Sequence, residues 1–437
     1  METSDQKGLK TLMYLRISAE AAWAGVGPVL SAVGGLALLK TQGVLLAPSE
    51  MGSLLLSLNI VSFIQGFLVA GQSSAAIRFA SLACTSGQGR AFMGILLRLI
   101  VARGVILVPL AIMSLCVLVL GGAMTPLMAA GAFVLGLLQA GSAMIDGWIL
   151  SHRRQKLFSL ILACTAIFRV IGVVAFVRLS DRPEGGALLG LIFATAVVLS
   201  LQIGSVIKDV GPNPANSRSS GRDWLVEAKF FARPFLGWTI IGWTQAAAER
   251  WSLSGWRGEA SVGIYGAAAQ LCNAPANILS TVISNYAMPR LSGSWDQRDP
   301  TRRELLNWLY VAGIGAIIIL GAAFCSAIFG EYFIRALLSE RYVGVEKFLP
   351  ILILSSGAFA LGQAMTNPLV VINPGLINRA KWVSPIIGAV LAICLVPIAG
   401  IWGVAAAALT SNVIYVFWLS ILLMGRLPLA VEVGKSP

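Results

Sequence analysis

Twelve runs of mostly apolar residues follow one another along the chain, separated by short polar breaks. A run of about 20 such residues forms a helix that crosses the hydrocarbon core of a bilayer, about 30 Å thick. The residues AVILMFWYC make up 57% of the chain and DEKR only 12%, too few polar side chains to cover a soluble protein. This balance excludes a soluble enzyme, a disordered chain and a nucleic-acid-binding domain, although the formal net charge is +13. The predicted fold class is therefore an all-α polytopic membrane protein, with spans at residues 21–39, 51–71, 98–120, 127–150, 157–177, 186–207, 234–253, 261–288, 308–329, 348–372, 382–399 and 401–424.

The lysines and arginines predict the orientation of these spans. If the N-terminus is cytoplasmic and the loops alternate, the cytoplasmic segments contain 23 of the 32 Lys and Arg residues and the outer loops contain 8. The remaining basic residue, Arg169, lies within the span 157–177 and is counted on neither side. Because cytoplasmic loops carry an excess of Lys and Arg, both termini are predicted to be cytoplasmic. The segment before the first span lacks a short apolar core with a small-residue cleavage site, so the first span is expected to be retained.

The two halves of the chain are related by a weak internal repeat. The offset that places Gly52 on Gly263 also brings Arg78 to within one position of Arg290. Six spans per half return the chain to the same side of the membrane, so the repeat is parallel and predicts two six-helix bundles. The predicted domains are a cytoplasmic N-terminal segment 1–20, an N-terminal bundle 21–207, a cytoplasmic linker 208–233, a C-terminal bundle 234–426 and a cytoplasmic tail 427–437.

A polar stripe on the eighth predicted span is the clearest candidate for a substrate-binding surface. Its members are spaced three, four, four and three positions apart, which places them on one face of a helix. The second span offers Asn59 and Ser62 at two of the equivalent positions, so the pattern favours a wet cleft between the bundles. The alternative is that these side chains only join helices through hydrogen bonds. The stripe comprises Gln270, Asn273, Asn277, Thr281 and Ser284.

Charged residues within spans are costly to bury and are therefore candidate functional sites. Arg169 lies roughly 20 Å along its helix beyond Lys156, too deep to reach either interface easily, and is a candidate for binding a substrate anion. Asp146 lies just inside its span. It is a candidate coupling-cation or proton site, or else the partner in a structural ion pair with Arg153, Arg154 or an arginine of the neighbouring span.

Further ionisable residues lie near the ends of spans. Arg98 and Arg103, at the cytoplasmic end of the third span, either bind an anionic ligand or only extend to the interface. Glu249 and Arg250 close the outer end of the seventh span as a gate or coupling site, or as an ordinary interfacial pair. If Arg169 does not bind the substrate phosphate, the candidates are Arg78, Arg98, Arg103 and Arg290.

Motifs for catalysis and for cofactors are missing from the sequence. The one histidine, His152, lies in a basic turn, and the six cysteines are scattered singly. There is no phosphate-binding loop, no nucleophile elbow and no carboxylate cluster at metal spacing. We therefore expect no cofactor, no metal and no enzymatic activity.

One segment, AERWSLSGWRGEASVGIYGAAAQLCNAPANILSTVISNYAMPRLS (247–292), resembles the polysaccharide-exporter branch of the multidrug/oligosaccharidyl-lipid/polysaccharide (MOP) flippase superfamily, the O-antigen and lipid-linked oligosaccharide flippases. The matching features are the pair Glu249-Arg250, the Val-Gly-x-Tyr opening at 262–265 and Pro289. LAPSEMG (46–52) followed by Arg78, and AGIWGVAAAALTSNVIYVFW (399–418), resemble the same branch.

The resemblance implies a flippase that moves an undecaprenyl-diphosphate-linked oligosaccharide across the bacterial inner membrane by alternating access, for O-antigen lipopolysaccharide or exopolysaccharide. The implied partners are that glycan, membrane lipid and other membrane proteins of polysaccharide assembly, and no nucleic acid. Arginine suits the diphosphate because it stays charged and bonds phosphate oxygens bidentately. Two alternatives stay open: a multidrug/cation antiporter of the same fold, and a membrane glycosyltransferase or polymerase.

The charge distribution generates a prediction about topology. Alkaline phosphatase, which is active only outside the cytoplasm, should be inactive when fused after Pro437 and active when fused near Glu184. High activity at Pro437 would mean an odd number of spans and would contradict the parallel repeat.

Overall fold

The computed structural model describes residues 4–120, 124–207, 223–276, 302–342, 344–372 and 374–425, and these are helical apart from short turns. Short 3-10 turns precede α11 and α12. The helices are α1 Ser4–Leu45, α2 Pro48–Val69, α3 Gln72–Thr85, α4 Gly89–Leu120, α5 Pro126–Ser151, α6 Gln155–Leu179, α7 Pro183–Ile207, α8 Trp224–Arg257, α9 over residues 259–276, α10 Arg302–Leu337, α11 Leu349–Ile372, α12 Asn378–Ala399 and α13 Ile401–Met424.

Ten parts of the described chain are long and apolar enough to cross a membrane, and α2 and α3 together form one of them. Helix α8 occupies the seventh predicted span and α9 the described part of the eighth, so that each half contributes six. The prediction of an all-helical membrane protein with two six-helix bundles is confirmed. The bilayer explains this architecture, because a helix in hydrocarbon satisfies its own backbone polar groups without water.

Each bundle, called a lobe below, is held together by close helix contacts. In the first lobe, α6 packs against both α1 and α7. Gly172 of α6 and Gly190 of α7 approach so closely that a Cβ atom on either would collide with the other's backbone. In the second lobe, α12 packs against α8 and α13, and α13 packs against α11. Small residues allow such close approach, on which helix association in lipid depends.

The two lobes touch through a reciprocal contact at the starts of α2 and α9. A Cβ atom on Gly52 would collide with the backbone of Glu259, and one on Gly263 would collide with the carbonyl oxygen of Pro48. Positions 48 and 259 are related by the same offset as positions 52 and 263, so each half makes the same contact on the other. This is the geometry of a two-fold interface, and it reproduces the repeat in three dimensions. Ser53 also donates a hydrogen bond to Glu259 Oε2 at 2.6 Å.

Several helix ends differ from the predicted boundaries. Helix α1 begins at Ser4, inside the segment 1–20, and α8 begins at Trp224, inside the segment 208–233 predicted as linker. The Asp223 side chain caps α8 by accepting hydrogen bonds from the backbone of residues 225 and 226. The second span continues beyond residue 71 as α3, after a break at Gly71, whose φ of +78° favours glycine. Apolar length locates the membrane crossing, whereas caps and turns decide where the helix stops.

The reciprocal contact generates a prediction about the seam. Gly52→Ala or Gly263→Ala should separate the starts of α2 and α9 because the added methyl group meets backbone that cannot rotate away, at a cost of about 1–3 kcal/mol. Cysteines at Ser53 and Glu259, in a chain without the six native cysteines, report this separation as a lower yield with a short thiol cross-linker. Gly255→Ala is the matched control, because a Cβ atom there meets open space. Equal yields in all three variants would contradict the contact.

Candidate functional site

The seam between the lobes runs along α2 and α8, and Asn59 lies buried within it. The Asn59 backbone oxygen accepts a hydrogen bond from Trp243 Nε1 at 2.8 Å, and its Oδ1 accepts one from Trp251 Nε1 at 3.3 Å. The Trp243 ring packs against Phe63, with ring centroids 4.4 Å apart. Asn59 Nδ2 is buried without a hydrogen-bond partner. In this conformation Asn59 joins the two lobes.

The other described polar residues of the predicted cleft differ in exposure. Ser62 is exposed, and its hydroxyl donates a hydrogen bond to the Asn59 backbone oxygen at 2.7 Å. On α9, Gln270 is half-buried and Asn273 is exposed. The wet cleft stays a prediction, because Asn277, Thr281, Ser284 and Arg290 lie outside the described residues.

A polar cavity of about 240 Å³, called the first-lobe cavity below, lies between α1, α2, α5, α6 and α7. Asp146 and Arg169 both line it. Asp146 Oδ1 accepts a hydrogen bond from Gln202 Nε2 at 2.7 Å. Arg169 has no hydrogen bond or ion pair to any described residue, and its Nε is buried without an acceptor. Other polar residues of the lining are Ser31, Gln65, Gln139, Ser142, Thr165 and Thr195.

The electrostatics of the first-lobe cavity are incompletely balanced. The Asp146 carboxylate is near enough to attract the Arg169 guanidinium, but the two groups do not touch. A guanidinium stays charged in proteins, and a charge taken out of water needs compensation by partners. The cavity therefore has a cation with unused hydrogen-bond donors and is suited to an anion or to water.

In the second lobe, the carboxylate of Glu249 is held by neutral partners. Its Oε1 accepts a hydrogen bond from Gln245 Nε2 at 2.9 Å, and its Oε2 accepts one from Tyr265 at 3.0 Å. Gln245 Oε1 in turn accepts a hydrogen bond from Ser411 at 3.1 Å. This network connects α8, α9 and α13. Among the described residues, no three His, Cys, Asp or Glu side chains are placed to hold a metal ion.

Lys381 is a further cation within a helix, although the predicted span 382–399 begins just after it. It lies on α12 in the candidate span Gly375–Ala399. Its Nζ donates a hydrogen bond to Gln363 Oε1 at 3.1 Å and lies 4.8 Å from the centre of the Tyr415 ring. The repeat could have identified it, since the offset that relates Arg78 to Arg290 also relates Arg169 to Lys381.

The other candidate arginines that the structure describes, Arg78, Arg98, Arg103 and Arg250, do not line the first-lobe cavity. Arg103 Nη1 donates hydrogen bonds to the backbone oxygens of Phe67 at 3.2 Å and Ala70 at 2.8 Å, so it caps the end of α2. Arg78 is exposed and stacks over the rings of Phe79 and Phe231. Arg98 is exposed on α4, and Arg250 is half-buried beside Glu249.

Comparison with solved structures shows that the fold is shared with membrane transporters. The inward-facing conformation of a multidrug resistance MATE family transporter of the MOP superfamily matches with a TM-score of 0.67, at 15% identity over 95% of this chain and 100% of that chain. The lipid II flippase MurJ in its inward closed conformation matches with a TM-score of 0.68, at 15% identity over 93% of this chain and 87% of that chain. Neither protein-family models nor curated proteins match the sequence.

The same comparison bears on conformation. The outward-facing conformation of a multidrug resistance MATE family transporter of the MOP superfamily matches with a TM-score of 0.57, at 15% identity over 95% of this chain and 96% of that chain. This similarity is lower than that to the inward-facing conformation. The lobes of the present structure are in contact at the starts of α2 and α9, the side that the charge distribution predicts to be external.

The stripe generates a prediction that labelling can check. In a chain without the native cysteines, Asn273→Cys should react with a small hydrophilic maleimide, because a wet cleft exposes it to water. Ala268→Cys, on the same helix but only 1% exposed, is the matched control and should not react. An unreactive Asn273→Cys would favour helix-joining hydrogen bonds over a cleft.

Proposed function

We propose that this protein is a flippase that moves an undecaprenyl-diphosphate-linked oligosaccharide across the bacterial inner membrane by alternating access, for surface or exopolysaccharide assembly. The observation that carries the proposal is Arg169, a cation deep in the first lobe that borders a polar cavity and has no hydrogen-bond partner among the described residues. An embedded cation with unused donors favours an anionic cargo, and a diphosphate supplies oxygens that guanidinium donors bind strongly.

The arrangement of the lobes supports alternating access. Within each lobe the helices pack through close small-residue contacts, so a lobe moves as a unit. Between the lobes, the reciprocal contact of Gly52 and Gly263 joins surfaces that can separate without unfolding either one. Rocking of two such bundles about a site between them is how repeat-built transporters expose a site to each side in turn. In this conformation, the contact between the starts of α2 and α9 would block a cargo that enters from the predicted cytoplasmic side from leaving on the outer side.

The multidrug/cation antiporter is the second candidate, and the embedded acids Asp146 and Glu249 are the observation in its favour. Both carboxylates accept hydrogen bonds from amide side chains, which leaves them less free to bind a cationic drug than Arg169 is to bind an anion. A glycosyltransferase or polymerase is disfavoured by short connections. The longest predicted outer loop, 330–347, is largely occupied by the end of α10 and two 3-10 turns.

The proposal predicts the outcome of a substitution series in a strain that lacks the gene. Deletion should cause lipid-linked glycan to accumulate on the cytoplasmic face, and the wild-type gene should restore export. Arg169→Ala should abolish export at normal membrane abundance because the diphosphate loses its cation, and Arg169→Lys should retain part of it. Arg178→Ala, at the exposed end of the same helix, is the matched control and should export normally.

A double variant separates this role from a structural one. If Arg169 only balances Asp146, Arg169→Ala should lower abundance, and adding Asp146→Asn should restore both abundance and export. If Arg169 binds the cargo, adding Asp146→Asn should restore neither. Wild-type export from Arg169→Ala alone would contradict both roles and move the phosphate site to Arg78, Arg98, Arg103 or Arg290. Loss of drug resistance with intact glycan export would favour the antiporter.

A further inference from the structure

A groove of about 340 Å³, called the basic groove below, opens where α4, the break between α2 and α3, and the first turns of α8 meet. Three cations line it: Arg103 from α4, and Lys229 and Arg233 from α8. Among the residues that the structure describes, no carboxylate lines it. Because α4 belongs to the first lobe and α8 to the second, the basic groove crosses the seam. Among the described residues, it shares none with the first-lobe cavity or with the polar stripe.

The basic groove lies at the depth of lipid headgroups. Helix α2 has 22 residues, a length of about 33 Å at 1.5 Å per residue, which matches the hydrocarbon core of about 30 Å. Arg103 donates hydrogen bonds to backbone oxygens at the end of α2. Measured from the predicted outer end of this crossing, which continues as α3, the Arg103 guanidinium therefore lies about one hydrocarbon thickness away, towards the side predicted to be cytoplasmic.

An unpaired donor lies at the base of the basic groove. Gln72 lines the groove and is fully buried, and its Oε1 accepts a hydrogen bond from Arg103 Nη1 at 2.6 Å. This bond fixes the orientation of the amide, since the opposite orientation would set two donors against each other. Nε2 is then buried without an acceptor. Gln72 therefore holds the Arg103 guanidinium at the wall of the groove and keeps one buried donor unsatisfied there.

Two cations on α8 complete the basic groove. Lys229 and Arg233 are four positions apart, which places them on one face of the helix. Both are exposed, and neither forms a hydrogen bond or an ion pair with a described residue. Like charges at this spacing repel each other, and a bound anion removes the repulsion. The groove is also lined by the apolar side chains of Leu99, Ile106 and Leu236.

We propose that the basic groove binds the phosphate of an anionic membrane lipid, with an acyl chain along Leu99, Ile106 and Leu236. Lysines and arginines at the cytoplasmic surface attract anionic lipids, and the apolar walls favour a lipid over free phosphate. A lipid in this position contacts both lobes and holds the first turns of α8 against α4. Arg103, held by Gln72 Oε1, and the two cations of α8 supply the positive charge that faces its phosphate.

The test measures lipid binding to the purified full-length protein by native mass spectrometry, with a melting curve as the second readout. Phosphatidylglycerol should bind more tightly than diacylglycerol and raise the melting temperature. Lys229→Gln with Arg233→Gln should weaken phosphatidylglycerol binding at least about tenfold, because charge-assisted hydrogen bonds are lost. The charge-conserving pair Lys229→Arg with Arg233→Lys should retain binding.

A matched pair of substitutions distinguishes lipid binding in the basic groove from nonspecific attraction of the lipid to the positively charged surface. Arg90→Gln with Lys156→Gln removes two cations outside the groove, on the same predicted side, and should leave phosphatidylglycerol binding within about twofold. Equal weakening by this pair, or unchanged binding after loss of Lys229 and Arg233, would overturn the proposal. An equal rise in melting temperature with inorganic phosphate alone would overturn the lipid as the source of the phosphate.

Discussion

The bilayer imposes the constraint on which the rest of the structure depends, because hydrocarbon supplies neither hydrogen bonds nor a hydrophobic force between helices. Backbone groups must be satisfied within each helix, and helices associate through close packing of small residues. Gly172 and Gly190 show this within the first lobe, and Gly52 and Gly263 show it between the lobes. The reciprocal contact lies at the starts of α2 and α9, and further contacts between the lobes follow α2 and α8, where Gly71 meets the backbone of Ala232. Close packing of small residues therefore holds the helices of the first lobe together and also joins the two lobes.

The embedded charges of the described residues are compensated to different degrees. Arg103 gives Nη1 to backbone oxygens at the end of α2, and Lys381 has Gln363 and the Tyr415 ring. Both carboxylate oxygens of Glu249 accept hydrogen bonds. Arg169 has only the attraction of Asp146 across the first-lobe cavity. Charges in a membrane persist where something compensates them, so a cation with unused donors is where a ligand has most to contribute.

The sequence predicts those features that depend on apolar length and on the repeat. The offset that aligns Gly52 with Gly263 also describes the contact these residues make. Features that depend on distant partners are not predictable in this way. Arg103 and Gln72 lie on different helices, and no spacing rule indicates that one guanidinium caps α2 and holds that amide. Lys381 was predictable in principle, but its position at the edge of a charged loop favoured the wrong assignment.

The two lobes have similar folds, but their embedded charged side chains have different hydrogen-bond partners. This difference bears on where the proposed anionic cargo would bind. In the second lobe the cation and the carboxylate have separate partners. Lys381 donates a hydrogen bond to Gln363. Glu249 accepts hydrogen bonds from Gln245 and Tyr265. The first lobe sets Asp146 and Arg169 around one cavity and pairs only the acid with an amide. A ligand anion at Arg169 would compete with Asp146 for the same guanidinium, so binding would alter the charge balance among α5, α6 and α7. Because those helices form one packed body, such a change acts on the first lobe as a whole. If the proposed cargo binds at Arg169, the first lobe is therefore the half in which that binding changes the charge balance.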